Sequence, residues 1–439
     1  MRRTPTASAP LPGARIHDVD ALRGFALLGI FVVNVTFMAS AYPGNLVEDP
    51  LFGSAADGAA RFVVSAFFSM KFYLLFSFLF GYSFTLQMHA ADRAGARFTS
   101  RMLRRTLGLF VLGVANIVLL YSGDILTTYA FACLILLGLY KIRDVVALRV
   151  AGGIYALVLL MMGASGLLVD RSAFLPDHAE ALANAAEQNR AMLGSYGEIV
   201  GQHLDGVPLL IAQAATMQGP TALAMFLVGM VAGRRRLLAD LTGSEPTLQR
   251  IQLVGFPVGL AGAVGYAMLG GDTATAAVTL SLVTAPLLSA AYAATLLRAM
   301  HHPRFGWLRR SLAPAGRIAL TNYLLQSVIG LLLFTGIGFG LAGTLSPPAL
   351  LALAFAAFVC QLAASAWWTR HHRYGPAEWL LRVFTNWRLS PVVGSGAADV
   401  VSDADGVRAS GCPPAHGEYG HECHQCGDRH PPAAGGTVE

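Results

Sequence analysis

The sequence predicts an all-α, polytopic integral membrane protein of about ten transmembrane helices, with both chain ends on the cytoplasmic side. Three observations predict it. Of 439 residues, 55% are hydrophobic and only 13% charged, with a mean hydropathy of +0.55; about a quarter of a soluble globular domain is charged. The apolar residues form long unbroken runs, without the short alternating segments of a membrane barrel. The charged residues gather between those runs, and their sign alternates from one gap to the next.

Crossing ~30 Å of hydrocarbon takes roughly 20 apolar residues. The expected spans are residues 21–41, 71–88, 103–120, 125–140, 145–169, 208–232, 251–269, 273–297, 317–341 and 349–369. The third and fourth are parted only by residues 121–124 and read as a tight helical hairpin. Residues 88–105 carry five Arg against Asp92, residues 298–310 four Arg and no acid, and residues 370–388 four Arg against Glu378. Residues 141–149 and 233–250 are also net basic. The intervening segments 42–61 and 170–207 are acidic, with three acids against Arg61 and six against Arg171 and Arg190. Positive loops stay in the cytoplasm, which sets the N-in, C-in orientation.

The remaining organisation follows. Residues 1–20 form a short cytoplasmic segment, and the first span is an uncleaved anchor despite the Ala39-Ser40-Ala41 sequence, because its basic flank extends to Arg23 and its apolar run is long. Residues 170–207 form a periplasmic helix and loop, with the helix starting near Asp177. Residues 389–439, rich in Gly, Ala, Pro and Asp, are expected to be a disordered tail. Its Cys423-x-x-Cys426 pair lacks a second well-spaced pair, so no folded zinc module, and no metal site elsewhere, is expected. The net charge of +6 lies in loop arginines that act as topology signals, which argues against nucleic acid as a partner. No phosphate loop, dinucleotide fingerprint, nucleophile elbow or HExxH motif is present.

Candidate site residues are polar groups placed where lipid should surround the chain. Arg23 and Asn34 lie eleven residues apart, about 16 Å along one helix face, with Asp20 one turn before Arg23. Arg23 could grip a phosphate or carboxylate at the cytoplasmic mouth of a path that Asn34 lines; equally, both could serve topology and helix packing. Lys71 either opens the second span and snorkels or sits inside the bilayer. The aromatics between Phe67 and Phe84 cover every helical face and suit packing or a lipid-tail groove. In the ninth span Asn322 and Gln326 share a stripe with Ala319 and Gly330, fit for helix contact or for a polar path, and Arg317 stands at its cytoplasmic end. Glu378 falls in the first turn of an interfacial helix opened by Pro376, where pairing with a loop Arg is expected.

Three segments carry a resemblance. They are Asp18-Val-Asp20-Ala-Leu-Arg23-Gly24 running on to Asn34, Lys71-Phe-Tyr-Leu-Leu-Phe76 running on to Gly81, and the pair Gly316-Arg317 to Ser327 and Gly375-Pro376-Ala-Glu378-Trp379. Together they resemble the YeiB-like family of bacterial inner-membrane proteins (domain of unknown function 418) over roughly residues 15–390, with the family-defining part in about residues 220–388. The N-terminal motif is similar to that of the heparan-α-glucosaminide N-acetyltransferases and other membrane acyltransferases. That likeness implies an acyl-coenzyme A donor in the cytoplasm and an acceptor sugar or lipid-linked glycan across the bilayer. Those acetyltransferases carry a His soon after the first-helix Asn, whereas no His lies between Asn34 and Met88. Beside acyl transfer stand two other classes: a transporter or exporter of a small or lipid-linked molecule, and a non-catalytic membrane scaffold.

Overall fold

The computed structural model describes residues 17–386 except 94, 96, 169–176, 240 and 242. The expected tail with its Cys and His residues and the first sixteen residues lie outside the described part. The described residues are helical and contain no strand.

Sixteen α-helices follow in order. They are α1 (His17–Ala39), α2 (Ala55–Val63), α3 (Lys71–Arg93), α4 (Phe98–Leu119), α5 (Leu126–Leu139), α6 (Asp144–Leu168), α7 (His178–Met192) and α8 (Tyr196–Asp205). Then come α9 (Val207–Gln213), α10 (Gly219–Arg234), α11 (Glu245–Met268), α12 (Thr275–His301), α13 (Gly306–Arg317), α14 (Ala319–Phe334), α15 (Pro347–His371) and α16 (Pro376–Asn386). Eight helical stretches among the described residues are long and apolar enough to cross a bilayer. The ten expected runs fall largely on helix, though residues 335–341 of the ninth are turn and loop, and two runs differ in form. The ninth is broken after Arg317, where α13 and α14 meet at 79°, and the fourth, α5, has only fourteen residues. Ahead of Lys71, α2 runs into a π turn at Val64–Phe68, and Ser69 and Met70 (φ 66°) break the helix before α3 begins.

Lipid-facing surface is legible in the burial pattern. On α4, Leu103, Leu107, Val111 and Val114 recur at helical spacing and are all exposed. In water such a stripe would be a large unsatisfied apolar patch; in a bilayer it is the expected outer face. The interior is built round α1, which is buried along most of its length and packs on α3, α12, α13, α14 and α15. Glycine makes the closest crossings. A Cβ on Gly316 would stand 1.7 Å from the Asp20 carbonyl oxygen, and one on Gly24 would stand 2.3 Å from that of Leu312, so α1 and α13 touch backbone to backbone. In hydrocarbon such contact replaces the hydrophobic drive between helices.

Two π turns interrupt the stack, Val64–Phe68 and Ala214–Gln218. One extra residue in a turn rotates everything beyond it and leaves backbone groups to be met elsewhere, which is why such turns gather at functional sites. Here Ser65 in the first turn offers its carbonyl to Lys71, and Gln218 closes the second beside an internal cavity.

Candidate functional site

At the arginine-rich end of the bundle lies a cavity of about 440 Å³, within the ordinary size of a small-molecule site. Five guanidinium groups line it: Arg23 of α1, Arg101 and Arg105 of α4, Arg317 at the α13–α14 break, and Arg382 of α16. Arg23 pairs with Asp20 at 2.8 Å and also donates to the Ser83 hydroxyl. Arg317 donates to the carbonyls of Arg373 (2.7 Å) and Thr369 (3.4 Å). Arg382 lies over the Tyr374 ring, 4.8 Å from its centre. The Nε atoms of Arg105 and Arg382 are buried and meet no hydrogen-bond acceptor among the described residues.

The single carboxylate in this wall is Glu378. It accepts from the Leu320 N–H (2.7 Å), the Thr321 N–H (3.2 Å) and the Thr321 hydroxyl (2.5 Å), so it caps the N-terminus of α14. The expected pairing with a loop arginine is replaced by this cap. Burial pushes the Glu378 carboxyl above its usual range, against the pull of the Thr321 bonds. Five cations facing one capped carboxylate give a strongly anion-seeking cavity.

The inner end of the cavity is apolar and aromatic, with Phe76, Phe80 and Tyr129 in its wall. Ile30, Ile125 and Tyr323 form a wall common to it and to a second cavity of about 120 Å³. Asn34 and Gln218 line that middle cavity. Gln218 Oε1 is buried without a donor among the described residues. Gly123 in turn lines both the middle cavity and a third, of about 430 Å³, at the opposite end of the helices. Gln188, Gln202, His203 and Asp205 are among its polar lining. The His203 Nδ1 lies 3.3 Å from the Val118 carbonyl oxygen. A carbonyl only accepts, so Nδ1 carries the proton and Nε2 keeps its lone pair.

The sequence candidates therefore divide. Arg23, Arg317 and Glu378 meet in the basic cavity, Asp20 orients Arg23 from behind it, and Asn34 lies one cavity further in. Lys71, Asn322 and Gln326 line none of the three cavities. Lys71 is 1% exposed, so it does not snorkel; it donates to the Ser65 carbonyl at 3.0 Å and lies 5.4 Å from the Tyr266 ring centre. Asn322 donates to Ser365 (2.9 Å) and to the Ala315 carbonyl (3.1 Å), and Gln326 donates to Gln361 (3.1 Å), a dry polar seam between α14 and α15. Asn322→Leu should lower thermal stability by about 1–3 kcal/mol through unmet partners, with anion binding at the basic cavity unchanged. A change in binding as large as the change in melting temperature would place Asn322 in the site instead.

Sequence reading missed Arg101, Arg105, Tyr323, Asp124 and His203. Arg105 had a signal, since it falls two residues inside the expected 103–120 span, where an ionisable side chain is costly. Asp124 belongs to the α4–α5 hairpin tip and supports the common wall: it accepts from Asn116 (3.0 Å), the Thr127 N–H (2.9 Å) and the Tyr323 hydroxyl (3.4 Å). Burial lifts its carboxyl to about 6, from ~4 in an unfolded chain. The folded state thus holds this proton more tightly, and the stability it contributes is complete below pH ~4 and lost as pH rises through about 6. Relative to Asp124→Asn, the wild type should lose on the order of 2 kcal/mol between pH 4 and 7.5. A stability difference that is flat with pH would refute this assignment.

Long apolar helical stretches, with an arginine-lined cavity at one end, define a polytopic membrane protein. A family model described as "Protein of unknown function (DUF418)" matches residues 232–388, the part that holds Arg317, Glu378 and Arg382. The similarity extends over nearly the whole length of three relatives. "Uncharacterized protein YxaH" of Bacillus subtilis (strain 168) is 29% identical, covering 87% of this chain and 97% of the relative. "Uncharacterized 39.9 kDa protein in amylase 3'region" of Bacillus acidopullulyticus is 30% identical, covering 88% and 98%. "Uncharacterized protein YeiB" of Escherichia coli (strain K12) is 27% identical, covering 85% and 97%. The chain belongs to this DUF418, YeiB-like family.

Proposed function

We propose that the protein is a bacterial inner-membrane acyltransferase. It takes an acyl group from acyl-coenzyme A in the cytoplasm and passes it to a hydroxylated acceptor on the other face of the bilayer. The observation that carries this reading is the succession of three cavities from the five arginines, past Asn34, to His203, each sharing wall residues with the next. Arginine-rich loops favour the cytoplasm, so the basin faces the compartment where phosphorylated donors are made. Arg23, Arg101, Arg105 and Arg317 hold the donor's phosphates, while the apolar inner end at Phe76 and Phe80 takes its uncharged arm.

Transfer then requires the arm to pass the Ile30–Ile125–Tyr323 wall. The acceptor oxygen bonds the thioester carbonyl carbon and the C–S bond breaks. The hydroxyl proton leaves to His203 Nε2 and ends on the departing thiolate, which balances the step. His203 takes the role of general base that no residue near the first helix offers.

A second reading, export of an anionic amphiphile, draws on Asn34 and Gln218, the latter with an unmet Oε1, in the middle cavity, where they could line a route for intact cargo. Binding of acyl-coenzyme A to the purified protein tests the first reading. Wild type should bind and Arg23→Ala should lose about tenfold or more; no binding to wild type removes the proposal. With a donor labelled in its acyl group, label on an envelope lipid or glycan supports transfer, and intact labelled donor on the far side of proteoliposomes supports export.

A further inference from the structure

A fourth cavity, of about 440 Å³, lies between α1, α2 and α15 on the His203 side of the molecule. Its body is apolar, with Val32, Val35, Phe62, Leu350 and Leu351 in the wall. Phe37 and Ser40 line both it and the polar cavity that holds His203, so an apolar space and a polar one lie side by side. An amphiphile fits such a pair, its chain in one and its head in the other.

Charge and hydrogen bonding select the head. Three carboxylates, Glu48, Asp49 and Asp272, line the apolar cavity against one guanidinium, Arg61. Arg61 is taken by Glu48 at 2.9 Å, and Asp272 accepts from the Tyr266 hydroxyl at 2.6 Å. Asp49 keeps one oxygen, Oδ2, buried without a donor, and Gln202 Oε1 in the polar cavity is likewise unmatched. Both unmet atoms are acceptors. A phosphate or fatty-acid head only accepts and is repelled by the carboxylates, whereas a hydroxyl donates and is uncharged. Leaving such buried acceptors unmet costs free energy that a donating head would recover.

We propose that this paired cavity binds a glycosyl-headed lipid of the outer leaflet, its alkyl chain beside Val35 and Leu351 and its sugar hydroxyls on Asp49 and Gln202. This names the acceptor of the transfer proposed above and rests on that reading for its role. The binding itself does not, and it is measured without any donor. The two ends of the protein then have opposite tastes: anions at the arginine basin, neutral hydroxyl donors here.

The test uses the full chain in nanodiscs and three photoreactive probes of equal chain length, each with a diazirine in the alkyl chain. One is a glucoside, one a fatty acid and one an alkylammonium. The glucoside should label α1 near residues 32–36 and α15 near residues 350–351 at least about fivefold more than the fatty acid. Val35→Trp fills the cavity and should abolish that labelling. Should Val35→Trp fail to fold, Leu351→Trp at a partly exposed position serves the same purpose. Asp49→Asn should cut the preference for the glucoside about threefold or more. Equal labelling by the fatty acid, stronger labelling by the ammonium probe, or labelling indifferent to both Trp variants overturns the proposal. Acyl-coenzyme A binding in the same preparation is unaffected by any of these results, so failure of this site and failure of the donor reading are told apart.

Discussion

Replacing Arg105 with Met should weaken anion binding roughly 10- to 100-fold while making the protein harder to melt. The guanidinium stands in the wall of the basin with a buried nitrogen that no described group accepts from. A buried donor left unmet costs about 1–3 kcal/mol, and an apolar side chain of similar length removes that cost. Bonds between a charged donor and a phosphate contribute about 1.5–3 kcal/mol each, so losing one weakens binding roughly 10- to 100-fold. Arg105→Lys should recover only part of the affinity, because a point charge cannot present two parallel donors to one phosphate. Titration of the purified variants with acyl-coenzyme A, alongside thermal melts, measures both effects. A Met variant that binds as wild type does, or that melts lower, would show that the group supports the fold and not a ligand.

The second large effect is expected at Gly316. Valine there would drive its Cβ into the Asp20 carbonyl and the Gly24 backbone, none of which can swing aside. The α1–α13 crossing must open, at a cost of about 3 kcal/mol or more, and the opening moves two ends of the basin at once, since Arg23 follows α1 and Arg317 ends α13. Gly316→Val should therefore leave little monodisperse protein after detergent extraction, and what remains should not bind the donor. A variant with wild-type yield and melting temperature would mean that the two helices are not in backbone contact.

Much of the architecture could be read from the chain because a bilayer imposes one simple rule. Continuous apolar runs must become helices when no water is available to satisfy the backbone. The expected runs are largely helical for that reason. What the runs do not encode is where a helix bends. The 79° break after Arg317 comes from contacts far away in sequence, since Glu378, some sixty residues on, supplies the acceptor that lets α14 begin afresh at Ala319.

The site was legible where a polar residue broke an apolar run, as at Arg23 and Asn34. It was illegible where charge had a simpler explanation. Arg101 belongs to an expected loop whose positive charge topology already accounts for, and only the three-dimensional path of α4 separates it from Arg97. Asn322 and Gln326 present the opposite case. Their stripe suits both a packing seam and a conduit, and the choice depends on Ser365 and Gln361, on a helix that the stripe itself does not specify. His203 sits in a short polar helix outside any periodic signal, and only its bond to Val118 distinguishes it.

The brevity of α5 has a consequence for any molecule that must cross here. Fourteen residues reach about 21 Å, against ~30 Å of hydrocarbon in an ordinary bilayer. Its partner in the hairpin, α4, has twenty-two residues, so the two arms that meet at Gly123 and Asp124 are unequal, and the cavity lined by α7 and α8 lies beside that tip. If the proposed transfer takes place beside α5, the group has about a third less helix to pass there than in an ordinary span.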